Sequence, residues 1–204
     1  LSELEQEVGD TLIKMYLPNN YTAALGGNRE ETAKSVQSLI FAMILAFLLI
    51  FMIMASQFES ILQPFIIMGT VPLSIIGVST TLYITNIPIS GIAILGVIIL
   101  SGIVVANGIV LIDFINQLRE EGEPLESAVT QACNTRLRPI MITAVSTVIS
   151  LLPLAIGIGE GAELWIPMAW TCIGGSFVST CLTLFFIPAI YLTIEEFRIK
   201  LKKA

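Results

Sequence analysis

The chain has 204 residues, 55% of them hydrophobic and only 13% charged, where a soluble domain carries roughly 25% charged residues. Its net charge of -6 says little about partners, since most charges sit in loops, and no basic patch supports nucleic-acid binding; its lack of histidine excludes ordinary imidazole chemistry. The three cysteines (Cys133, Cys172 and Cys181) lack metal-ligand spacing and read as small buried or reduced side chains.

Residues 1–34 are polar, with no positively charged start followed by an apolar run, so no signal peptide is expected. The chain opens on Leu1 and reads as the C-terminal piece of a longer polypeptide. Residues 8–17 fit a short strand with Leu12, Met15 and Leu17 as its apolar contacts, and turns are signalled at 18–20 and 26–28. From Arg29 the pattern turns helical. So short a segment cannot bury a core of its own. It is expected to be the tail of an extramembrane domain, followed by a transmembrane domain over 35–204.

Five apolar segments follow, at about 36–55, 61–84, 91–117, 139–158 and 165–192. Each reaches the roughly 20 residues that cross a bilayer. The expected fold is an all-α membrane protein with five transmembrane helices and a short extramembrane N-terminal segment. An odd count puts the two ends on opposite sides. With the C-terminus inside, the inner segments hold Arg119, Arg136, Arg138, Arg198, Lys200, Lys202 and Lys203, and the outer ones Lys14, Arg29 and Lys34. That asymmetry follows the positive-inside tendency. Within the inner loop 119–138, Leu125, Ala128, Val129 and Ala132 recur at helical spacing. They suggest a short amphipathic helix, either on the membrane surface or as a plain connector.

The third segment is the expected seat of function. Between Gly91 and Ile112 it has no ionised side chain, yet it carries the amide Asn107 near its middle and the carboxylate Asp113 near its end. Polar groups in lipid are costly and turn toward protein or a water-filled path. On a helix over 91–117, Asn107 lies about 5 Å and Asp113 about 13 Å from the midpoint. Asp113 then reaches the headgroup boundary, where it can meet water, Arg119 or Arg136.

Three other segments carry polar stripes, each on one helix face. They are Thr70, Ser74, Gly77 and Thr81; Thr143, Ser146, Thr147 and Ser150; and Cys172, Gly175, Ser176, Ser179, Thr180 and Thr183. Small and hydroxylated residues make helix-packing seams in membranes. The alternative is that one stripe lines a wet path beside Asn107, and Thr143 and Thr147 are the best placed for that. Pro64, Pro72, Pro153 and Pro188 mark kinks, either as hinges or as packed bends. No ionisable group lies near a helix centre, so this stretch alone cannot supply the titrating site of a proton pump. Nor does it hold a nucleophile–base pair, a metal cluster or a phosphate loop, so neither an enzyme nor a cofactor is expected.

The run GIVVANGIVLIDFIN at 102–116 resembles the tenth transmembrane helix of resistance-nodulation-cell division (RND) efflux transporters, most closely their hydrophobe/amphiphile branch. TRLRPIMIT at 135–143 resembles the entry to that family's eleventh helix. LPLA at 152–155, GEGAE at 159–163 and the spacing from Gly174-Gly175 to Pro188 continue the match. SQFES at 56–60 resembles the turn between helices eight and nine, and LGGN at 25–28 the end of the periplasmic porter domain. The likeness covers essentially the whole chain, in order.

The resemblance implies the C-terminal half of a permease of about twelve helices, helices eight to twelve, in the cytoplasmic (inner) membrane. Its partners would be the N-terminal half of the same polypeptide, two further copies in a homotrimer, a periplasmic adaptor, an outer-membrane channel and the bilayer. Protons would drive multidrug or amphiphile efflux through two aspartates on the fourth helix, in the other half. In the family these interact with a lysine, matched here by Ala106, and with a threonine, matched by Thr143. Asn107 follows the lysine position, and Arg136 matches an arginine at the inner end of the eleventh helix. Ala106 is the departure from the pattern. Without a cation there an aspartate pair loses its counter-charge and its pKa tends to rise, and Asn107 becomes the nearest polar group. Other branches carry asparagine at the lysine position. The expected relay vicinity is therefore Ala106, Asn107, Asp113, Arg136, Thr143 and Thr147. The competing readings are a non-transporting membrane scaffold or assembly subunit, and an RND exporter of metals or lipids.

Overall fold

The structure is a computed structural model that describes residues 28–203. The short strand and the turns expected before residue 28 lie outside the described residues, as does most of the expected porter-domain tail. The chain divides into two units, Leu1–Ser38 and Leu39–Ala204. The described residues form six α-helices: α1 (Asn28–Gln57), α2 (Leu62–Met68), α3 (Thr70–Ile84), α4 (Gly91–Glu120), α5 (Leu125–Ala155) and α6 (Ile166–Lys203), with a 3-10 turn at Ala162–Leu164. They supply five spans long and apolar enough to cross a membrane, because α2 and α3 together make one span.

Proline chemistry explains the break between α2 and α3. Pro72 has no N–H to offer the Met68 carbonyl and crowds it, and the helix is interrupted at the single residue Gly69. The helix direction persists, since Gly69 still donates to the Phe65 carbonyl at 3.0 Å. The turn at 85–90 then ends at Ser90, which caps α4 by accepting from the Ala93 N–H at 3.2 Å.

One boundary needs correction. The fourth apolar segment was expected to start at Pro139 after a loop, but α5 starts at Leu125 and runs through Pro139 unbroken. The true connection from α4 is the four residues 121–124, where Gly122 takes φ +94°, a conformation open mainly to glycine. The amphipathic face seen in the sequence is what prolongs the helix. Ala128, Val129 and Ala132 are buried in the same apolar cluster as Ile115 and Leu118 of α4.

The core lies where α2, α3, α4 and α6 meet. Ile67, Leu100, Leu111, Ile112, Ile115 and Ile187 are all fully covered there. Glycines set the spacing. A Cβ on Gly77 would come within 2.7 Å of the Gly174 carbonyl oxygen, and one on Gly174 would run into Thr81. The stripes on α3 and α6 are therefore packing seams: Thr70, Ser74, Ser176, Ser179, Thr180 and Thr183 are all buried. Half of their hydroxyls bond back to their own helix, as Ser74 does to Val71 O at 2.7 Å and Thr180 to Ser176 O at 2.7 Å, and Ser176 Oγ is buried without a hydrogen-bond partner among the described residues. Hydroxyl bonding across helices, the usual expectation for such stripes, is not how these seams hold. Cys172 does reach across, its Sγ lying 3.4 Å from the Gly96 carbonyl of α4.

Candidate functional site

α4 has one covered side and one open side. Leu100, Val104, Leu111, Ile115 and Leu118 are buried, whereas Gly102, Ala106, Val110, Asp113, Gln117 and Glu120 form an exposed stripe. The glycines mark the difference. A Cβ on Gly108 would meet Ile67 at 2.8 Å, while one on Gly102 would meet nothing within 4 Å. The longer helix also moves its centre to between Val105 and Ala106. Asn107 is then about 2 Å, and Asp113 about 11 Å, from the midpoint along the axis.

α5 returns beside this open side. The Arg136 guanidinium sits over the Phe114 ring, 4.6 Å from its centroid, a cation–π contact favoured where water is scarce. Two turns back from Phe114 along α4 is Asn107, and two turns on from Arg136 along α5 is Thr143. In an antiparallel pair that register puts Asn107 and Thr143 at one depth on flanking faces. Asn107 is half-buried and, among the described residues, makes no side-chain hydrogen bond. Thr143 is exposed and donates to Ile140 O at 2.9 Å; Thr147 is half-buried and donates to Thr143 O at 2.8 Å. Unlike the α3 and α6 stripes, the stripe on α5 is not a seam within the described residues.

The inner-end electrostatics differ from expectation. Asp113 pairs with neither Arg119 nor Arg136, whereas Arg198 pairs with Glu195 at 3.5 Å. Arg136 is turned onto Phe114, and its Nε and the Nη1 of Arg119 are buried without a hydrogen-bond partner among the described residues. Asp113 instead lines an open polar crevice of about 530 Å³ with Gln57, Glu59, Asn116 and Gln117. A carboxylate there faces the open crevice and makes no hydrogen bond to its neighbours among the described residues.

One cluster was not legible in the sequence. Gln63 of α2 and Asn116 of α4 exchange two amide hydrogen bonds, both at 3.0 Å, and the Tyr191 hydroxyl of α6 donates to the same Asn116 Oδ1 at 3.0 Å. The only available signal was an amide one turn beyond Asp113 on an otherwise apolar helix.

Similarity to known proteins follows the whole chain. The family model described as the AcrB/AcrD/AcrF family matches residues 1–195. The chain is 37% identical over 175 residues to the cobalt-zinc-cadmium resistance protein CzcA of Cupriavidus metallidurans, covering 86% of this chain and 16% of that protein. It is 32% identical over 201 residues to the multidrug resistance protein MdtC of Erwinia amylovora, covering 98% of this chain and 20% of that protein. The crystal structure of a heavy metal efflux pump superposes with a TM-score of 0.79 at 28% identity, over 96% of this chain and 19% of that one. The chain thus spans a fifth or less of the length of these relatives.

Proposed function

The chain belongs to the AcrB/AcrD/AcrF family of RND efflux permeases, and from that membership we propose that it supplies the C-terminal half of the transmembrane domain that couples proton flow to efflux of drugs or amphiphiles. The observation that carries this reading is the open side of α4. An amide near the helix centre, without a partner, stands level with a hydroxyl pair on α5, and the stripe beside it is uncovered by anything in the described residues. Polar groups at that depth call for a partner inside the membrane. Helices of the N-terminal half would bring the carboxylates to Ala106, Asn107, Thr143 and Thr147, and Asp113 and Arg136 would border the path at its cytoplasmic end.

On this reading the protein lies in the cytoplasmic membrane with its C-terminus inside. Residues 1–34 are the tail of the periplasmic porter domain. The complete permease works as a homotrimer with an adaptor and an outer-membrane channel. Export of divalent metals is the second reading, supported by the likeness to CzcA and to the heavy metal pump.

The test is to express the complete permease in cells stripped of their own pumps and to follow a fluorescent amphiphile and zinc, each with and without a protonophore. Reduced amphiphile accumulation, restored by the protonophore, is the expected result. Reduced zinc alone transfers the proposal to metals. No change in either supports a scaffold and overturns the efflux reading.

A further inference from the structure

Among the described residues, side-chain hydrogen bonds join three helices at Asn116. Its Oδ1 accepts from Gln63 Nε2 and from the Tyr191 hydroxyl, and its Nδ2 donates to Gln63 Oε1, each at 3.0 Å. Tyr191 is only 3% exposed, so its hydroxyl has little recourse to water. Three helices distant in sequence, α2, α4 and α6, are tied at one carboxamide.

The rest of the contact made by this half of α4 is apolar. Leu111, Ile112, Ile115 and Leu118 pack in the common core with Ile67 and Ile187. Apolar packing sets separation but is non-directional. Amide hydrogen bonds weaken steeply off axis. Successive side chains on a helix point about 100° apart, so half a residue of slip would swing Asp113 by about 50° away from its crevice.

We propose that Asn116 is a positioning residue. Its carboxamide fixes the rotation of the C-terminal half of α4 about its own axis, holding Asp113 and Gln117 toward the polar crevice and Leu118 toward the core. Its bearing on transport rests on the efflux reading above; the rotational setting itself does not.

The test uses the complete permease in membranes, with Cys133→Ala, Cys172→Ser and Cys181→Ser and any cysteines outside this chain also replaced. Q117C and L118C are introduced in turn and labelled with a water-soluble maleimide. Gln117 is exposed and Leu118 is 5% exposed, so the thiol of Q117C should react at least about tenfold faster. Asn116→Leu, close in size, should bring that ratio below about threefold. Asn116→Asp keeps both bonds to Oδ1 but sets its acceptor Oδ2 against Gln63 Oε1, so its ratio should fall between those of the unsubstituted chain and Asn116→Leu. Tyr191→Phe, which removes one bond, should give an intermediate ratio and decides the matter if Asn116→Leu does not fold. An unchanged ratio in Asn116→Leu with only a lower melting midpoint would show that the network adds stability without setting rotation, and would overturn the proposal. So would a ratio in Asn116→Asp as low as in Asn116→Leu. Labelling needs no transport, so this outcome and that of the efflux assay are read separately.

Discussion

Gly102 and Gly108 are six residues apart on α4 and answer to different forces. Gly108 lies where Ile67 and Ile187 press on the backbone, and Gly102 where nothing in the described residues does. Gly108→Ala should therefore destabilise the purified chain by about 1–3 kcal/mol through overpacking. Gly102→Ala should stabilise it by up to about 1 kcal/mol, since alanine is the better helix former and meets no neighbour. Unfolding in a denaturing detergent, followed by circular dichroism, checks both signs. The hydroxyls divide in the same way. Thr143→Ala should lower proton-coupled efflux by the complete permease more than Ser179→Ala does; equal losses in a vesicle transport assay would mean that both residues serve packing alone. From the sequence all three stripes could be packing seams, with Thr143 and Thr147 the best placed for a wet path, because periodicity reveals that a face is special and not what covers it. Only the helix neighbours told the seams, at Ser74 and Ser179, from the uncovered face at Thr143.

At the scale of elements, α5 shows why a charged, proline-containing stretch misleads. Charged residues flank 119–138 and Pro139 follows, so composition reads a loop. Yet Ala128 and Ala132 are fully buried, and that apolar strip carries the helix across the proline. The cost of the missing N–H is borne by packing on α4. Ala132→Glu should put a charge against that cluster and loosen the first three turns of α5, seen as new protease cutting between residues 121 and 138 while the rest of the bundle survives. At the other end of α5, Trp170 of α6 donates to the Ala155 carbonyl at 3.1 Å and so closes the helix terminus. Trp170→Phe keeps most of the ring and should lower stability by about 0.5–1.5 kcal/mol, the ordinary net worth of one such bond. The five spans themselves were plain in the sequence because length and hydropathy alone define them. The cross-helix register that joins Gln63, Asn116 and Tyr191 was not, since 53 and 75 residues separate the partners and no local pattern reports it.

For the whole molecule, the relatives set the scale. The chain covers 16% of one and 20% of another. A blot with antiserum against residues 196–204 should show a band of about five times this chain's length, and the epitope should be reached only from the cytoplasmic side of spheroplasts. A band at 22.1 kDa would instead require the carboxylates of any proton path to come from a separate subunit. The knot at Asn116 also has an evolutionary consequence. A lineage that exchanges Asn116 for an apolar residue strands the Tyr191 phenol, at about 1–3 kcal/mol for a buried group left unpaired, and removes the partner of the half-buried Gln63 amide. Drift at one position makes the other two disadvantageous. Among descendants of a common ancestor, positions 63, 116 and 191 should therefore be inherited as a set and lost as a set, a linkage that can be counted in any sufficiently deep collection of sequences.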